Sequence, residues 1–207
     1  MWKGTRLSPT QVVFNESQFL FQWKCASSMP PHVSVPPVLS QAPLVRWCPP
    51  LVGLLKCNFN VAFAANHEFM GLGWIMRNLS GVFRAAKMKT VMGTVSFTVA
   101  EALCFREALS WLKVRGWTKV QLESDSLLLV QAVSSRLTYR SYFGSIVNDR
   151  KWLMRDLQFC SLHFVRKAAN QAAHTVARAA ISEPGENEWV DEVPSFLEDA
   201  VQFDLLS

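Results

Sequence analysis

The sequence predicts an α/β fold, a mixed five-stranded sheet flanked by helices. Three observations carry that prediction. Short runs in which apolar and polar residues alternate recur between residues 55 and 166, the pattern of strands with one face inward. Between them lie longer stretches whose apolar residues repeat at the helical spacing of about 3.6 residues. The order is three successive strands, then helix, strand, helices, strand and helix, which builds a sheet covered by helices.

Ser8-Pro9 places a capping serine and a first-turn proline before a helix over residues 10–23, with Val12, Val13, Phe19, Leu20 and Trp23 as its apolar face. Seven of the ten prolines then fall between Pro30 and Pro50, a density that excludes helix and interior strand. Residues 1–25 are accordingly expected to form a helical extension, 26–50 a linker, 51–182 the α/β domain and 183–207 an acidic tail.

Leu55, Cys57, Phe59 and Val61 alternate with Lys56, Asn58 and Asn60, giving a first strand. Gly71 to Arg77 reads as a second strand, Asn78 to Gly81 as a turn, and Val82 to Ala86 as a third strand returning antiparallel. Gly71-Leu72-Gly73 lacks the third glycine of a dinucleotide loop, because Met76 stands in its place.

Thr98 to Arg115 reads as a helix whose inward stripe is Glu101, Phe105, Ala108 and Leu112. A carboxylate aimed inward needs a partner, because an unpaired buried charge is costly. Thr98 and Glu101 also fit a capping box, which would give Glu101 a structural role. Val120 to Asp125 is the fourth strand, with Asp125 at the carboxyl end where α/β sheets place their chemistry. Asp125 or Ser126 caps a helix to Ser134, and Asp125 has a plain capping role as its structural alternative. A helix over residues 143–157, a strand over 159–166 and an alanine-rich helix over 171–181 complete the domain.

The net charge of +5 is unevenly spread: residues 51–182 carry seventeen Lys and Arg against seven Asp and Glu, and residues 183–207 carry eight acids and no Lys or Arg. With Lys56, Arg77, Arg84, Lys87 and Lys89 near its start, the central region is expected to attract polyanions, nucleic acid first. The acidic tail is expected to be a solvated segment or, alternatively, a strip lying over the basic face. Trp111, Trp117 and Trp152 are expected in packing roles rather than as a stacking platform. No apolar run approaches the roughly 18 residues of a membrane helix. The N-terminus lacks the order of a secretory signal, and five cysteines without a Cys-x-x-Cys pair read as reduced thiols, so a cytoplasmic or nuclear monomer is expected. Neither a zinc cluster, a phosphate loop nor a nucleophile elbow is present in the sequence.

The blocks KCNFNVA, GLGWIMRNLSGVF, AEALCFREALSWL, VQLESDS and RKAANQAAHTVARAA resemble, in order and spacing, those of type 1 ribonuclease H. With RWCPP and WVDEVPSFL they resemble more narrowly the plant retroelement-derived ribonuclease H-like domain. That resemblance implies hydrolysis of the RNA strand of an RNA–DNA hybrid by two Mg2+ ions, or Mn2+ in their place, held by acidic residues. It assigns acidic-ligand positions to Asn60, Glu101 and Asp125, and a fourth site position to His174, where histidine is common among plant relatives. Asn170 is implied as a contact to the substrate backbone, and Arg166 and Lys56 are expected to face nucleic acid. Asn60 departs from the pattern, since an amide carries no charge and cannot bridge two cations. Three readings follow: an impaired hybrid nuclease, a catalytically dead nucleic-acid-binding module, and a retroelement relic.

Overall fold

The computed structural model describes residues 46–135 and 141–205. The helix expected over 10–23 and most of the proline-rich stretch lie outside the described residues.

Strand β1 (Leu55–Phe63) turns back into β2 (Phe69–Arg77), which turns back into β3 (Phe83–Met92), all antiparallel. Asn78 closes the second turn by accepting backbone N–H groups of Ser80 and Val82, each at 3.0 Å. Gly81 supplies the positive φ of 74° that this turn requires. Helix α1 (Phe97–Val114) then leads to β4 (Lys119–Ser124), which runs parallel to β1. Helices α2 (Leu127–Ser134) and α3 (Tyr142–Arg155) precede β5 (Phe159–Phe164), parallel to β4. A 3-10 turn (Lys167–Asn170) opens into α4 (Gln171–Ser182). Strand β6 (Glu186–Val190) and helix α5 (Ser195–Leu205) follow. The sheet order is β5-β4-β1-β2-β3-β6.

Each face of the sheet buries its own apolar layer. Phe59, Leu72, Trp74 and Leu122 pack with Phe105, Leu109 and Leu112 of α1 and with residues of α2 and α3. On the other face Ile75, Ala86 and Met88 meet Ala172, Ala173 and Val176 of α4 and Leu197 and Val201 of α5. Here the two glycines of β2 find their purpose. A Cβ on Gly73 would stand 2.3 Å from the backbone nitrogen of Ala177, so only glycine lets α4 lie so close to the sheet. Trp111 is buried and meets Trp117 edge to face at 5.2 Å, a packing role; the Trp152 side chain lies outside the described residues.

The α/β class holds, with three corrections. The sheet has six strands rather than five, because the acidic segment is not a solvated tail. Its β6 pairs antiparallel with β3, placing acids opposite bases: Lys87 to Glu186 at 2.6 Å and Arg84 to Asp191 at 3.0 Å, while Arg115, the residue that caps α1 at its C-terminus, reaches Glu188 at 2.6 Å. The third strand is twice its expected length, since Lys87 and Lys89 find these partners. Helix α1 is capped by Ser96, whose hydroxyl accepts from Val99 N at 3.4 Å, so Thr98 is not the cap and Glu101 is not its box partner.

Candidate functional site

Parallel strands β1 and β4 carry Asn60 and Asp125 to the same end of the sheet, and α1 brings Glu101 beside them. Asn60 Nδ2 donates to Asp125 Oδ1 at 3.1 Å. Asn170, at the close of the 3-10 turn, donates from Nδ2 to the same oxygen at 3.2 Å and to the Phe59 carbonyl at 3.0 Å. Half-buried Asp125 thus receives two neutral amide N–H groups. Glu101 is withdrawn completely from solvent, and neither of its carboxylate oxygens has a hydrogen-bond partner. Burial and then the charge of Asp125 push its pKa well above the ordinary carboxylate value, with the Ser124 hydroxyl opposing. A buried acid without a well-formed hydrogen bond is the feature that a purely structural reading of Glu101 does not explain.

His174 lies half-buried one turn into α4. Burial, then Lys167 and Arg178, lower its pKa, while Asp125 pulls the other way, so the balance favours the neutral ring. Lys167 and Arg178 are exposed near it, and Arg166, also exposed, opens the 3-10 turn that ends at Asn170. The structure therefore gathers Asn60, Glu101, Asp125, Asn170 and His174 into one neighbourhood bordered by three cations.

Lys56 does not belong to that border. Its side chain is 3% exposed, ion-paired with Glu123, bonded to the Cys48 carbonyl at 2.6 Å and seated over the Trp47 ring. An ammonium so fully engaged inside the protein cannot meet a phosphate. Arg77 is equally enclosed, donating to Asp204 at 2.6 Å and stacking 3.8 Å over Trp47. With Arg84, Lys87 and Lys89 paired to acids, the basic surface expected near the start of the domain does not form there.

Sequence reasoning left Asn58 without a role, although it stands on the same face of β1 as Asn60. It is fully buried and joined to Trp47, Arg77, Glu123 and Asn170. An alternation in which three polar residues share one face of a wholly buried strand was the available signal.

A two-ion centre asks for several hard oxygen donors converging on each ion. Here Asn60 aims an N–H at Asp125, and among the described residues no group of three His, Cys, Asp or Glu side chains stands together at metal-holding distance. The donors present do not fit a two-ion cradle. Nor, among the described residues, is any helix long and apolar enough to cross a membrane.

Comparison with solved structures returns ribonucleases H. RNase H1 of Halobacterium salinarum is 20% identical with a TM-score of 0.57, covering 63% of this chain and 99% of its own. The N-terminal RNase H domain of a Mycobacterium tuberculosis protein is 18% identical with a TM-score of 0.54, covering 62% and 93%. LC11-RNase H1, solved in complex with RNA/DNA hybrid, is 15% identical with a TM-score of 0.55, covering 62% and 97%. At these identities the likeness establishes the fold. The comparison with curated proteins finds no match. The sequence model of the family described as reverse transcriptase-like matches residues 58–180, more than half of the chain and the whole stretch from Asn58 to α4. The chain belongs to this reverse transcriptase-like family, and its domain has the ribonuclease H fold.

Proposed function

We propose that the chain is a ribonuclease H-like domain that engages RNA–DNA hybrid, or RNA, and hydrolyses it poorly because Asn60 replaces the first acid. The observation that carries this reading is the 3.1 Å hydrogen bond from Asn60 Nδ2 to Asp125 Oδ1. It supports the reading because it joins Asn60 to Asp125 and aims an N–H where an acidic ligand would aim an oxygen. Glu101 and Asp125 are the surviving acids. Asn170 and Arg166 grip the substrate backbone, Lys167 and Arg178 add charge beside them, and His174 handles a proton near the leaving group. The blocks around RWCPP and WVDEVPSFL support a retroelement-derived plant lineage.

The test is hybrid cleavage in Mg2+ and in Mn2+ by this chain and by Asn60→Asp. Removing one electrostatic stabiliser costs about 100- to 1000-fold in rate, so the substituted protein is expected to cleave faster by roughly that factor. Equal rates, with this chain cleaving at the speed of its substituted form, would overturn the impairment. Absence of salt-sensitive hybrid binding by both forms would overturn the nucleic-acid role itself.

A further inference from the structure

We infer that Asn58 is a positioning residue, set by Trp47 and Arg77, that fixes the Asn170 amide with its N–H toward Asp125. Three of the four side-chain bonds Asn58 makes have a direction imposed by the chemistry of the partner. The Trp47 indole and the Arg77 guanidinium only donate, so the side they occupy must hold Asn58 Oδ1, at 2.9 Å and 3.3 Å. Nδ2 then points the other way, to Glu123 Oε2 at 3.0 Å and to Asn170 Oδ1 at 3.3 Å. With that oxygen engaged, Asn170 turns its Nδ2 toward the Phe59 carbonyl and Asp125, two acceptors that require the same orientation. Polarity therefore passes from two obligate donors through two amides to the acid of the site. Asn58 and Asn170 are 0% and 1% exposed, so the links between them lie out of contact with bulk water.

Part of this orientation comes from beyond the stretch shared with the family, although Arg77 itself lies within it. Trp47 precedes residue 58, and Asp204, which holds Arg77 at 2.6 Å, follows residue 180. The chain before β1 and helix α5 thereby reach the site without touching it. A reversed Asn58 would set N–H against N–H on one side and carbonyl against carboxylate on the other.

The test uses the full chain, labelled with 15N, and follows the side-chain amide signal and proton exchange of Asn170. Asn58→Asp, which keeps the shape and removes the donor, and Asn58→Ala are expected to shift that signal and speed its exchange. Trp47→Phe is expected to do so less, and Gln121→Ala, which bonds Glu123 alone, not at all. An unmoved Asn170 signal in folded Asn58→Ala overturns the inference. Should both Asn58 variants fail to fold, an Asn170 signal unchanged in Trp47→Phe overturns it instead. A second arm rests on the proposed nuclease reading. Within the Asn60→Asp protein, adding Asn58→Ala is expected to lower kcat roughly 10- to 100-fold with little change in KM, the range for removing a partner of a site residue. If Asn60→Asp itself fails to cleave, the nuclease reading falls while the Asn170 signal still decides the relay.

Discussion

Glu123 and Glu101 are both carboxylates withdrawn from water, on neighbouring elements, and the chain surrounds them in opposite ways. Glu123 has the Lys56 ammonium against it, Asn58 Nδ2 at 3.0 Å and Gln121 Nε2 at 3.3 Å. Glu101 lies beside the apolar α1 layer with the charge of Asp125 nearby, the Ser124 hydroxyl as a weak polar neighbour and no hydrogen bond of ordinary geometry. A buried carboxylate is tolerated when paired and bonded, and it is a net cost when it is not. The first arrangement is what a fold builds for its own integrity. The second is what survives where stability has not been the governing requirement, and such exceptions gather at functional sites. The contrast also separates the two ends of β1: Lys56 and Asn58 serve a closed network, while Asn60 opens onto an incomplete one.

Removing one member of the closed network is the harshest way to break this comparison. Lys56→Met keeps the length of the side chain and leaves Glu123 buried without its cation. Stripping one partner from a buried ion pair costs about 3–5 kcal/mol, read as a fall in the urea midpoint. Hybrid binding by the folded fraction should be unchanged, because Lys56 faces the interior. A loss below about 1 kcal/mol, the range of exposed pairs, would show that Glu123 is not held by charge.

Glu101→Gln probes the other half with the opposite expectation. The amide keeps the shape and removes an acid whose charged form burial already disfavours, so stability at pH 7 should stay within about 1 kcal/mol of the parent or rise. A loss as large as that of Lys56→Met would mean that Glu101 has a hidden cationic partner and that the contrast is false.

How much of this was legible beforehand follows from the reach of each interaction. Alternation and helical spacing are local, so β1, β2, α1, β4, β5 and α4 were readable to within a few residues. The positions of Asn60, Glu101, Asp125, Asn170 and His174 came from block order, and the structure brings them together. The enclosure of Arg77 was hidden, because Asp204 lies 127 positions away and nothing near Arg77 announces it. Lys56 misled for the same reason. Segment 183–207 misled through composition: eight acids suggest solvent, but Leu197 and Val201 sit one helical turn apart and Trp189 needed a cover. Acids in a strand are stable when bases face them, and that pairing is invisible until β3 and β6 are aligned.

The smallest effect lies at that alignment, and it calibrates the other two. Lys87 and Glu186 are paired at 2.6 Å with Glu186 about half exposed, so the contact is screened by water. Glu186→Gln should cost only about 0.2–1 kcal/mol, and less at high salt. Its pH dependence has a definite sign. The hydrogen bond from Lys87 lowers the Glu186 pKa below its ordinary value of 4.5, so the folded state holds the proton less tightly than the unfolded chain. The contribution is therefore complete above that ordinary value and disappears as pH falls through the lowered one. Burial alone would raise Glu107, yet the bond and charge of Lys89, helped by Arg106, lower it, so it weakens over the same acidic window. Parent and Glu186→Gln unfolding curves should differ at pH 7 and converge on acidification. A difference that widened instead would mean that β6 is held to β3 by its backbone and Trp189 alone, and that its acids are not what secures the sixth strand.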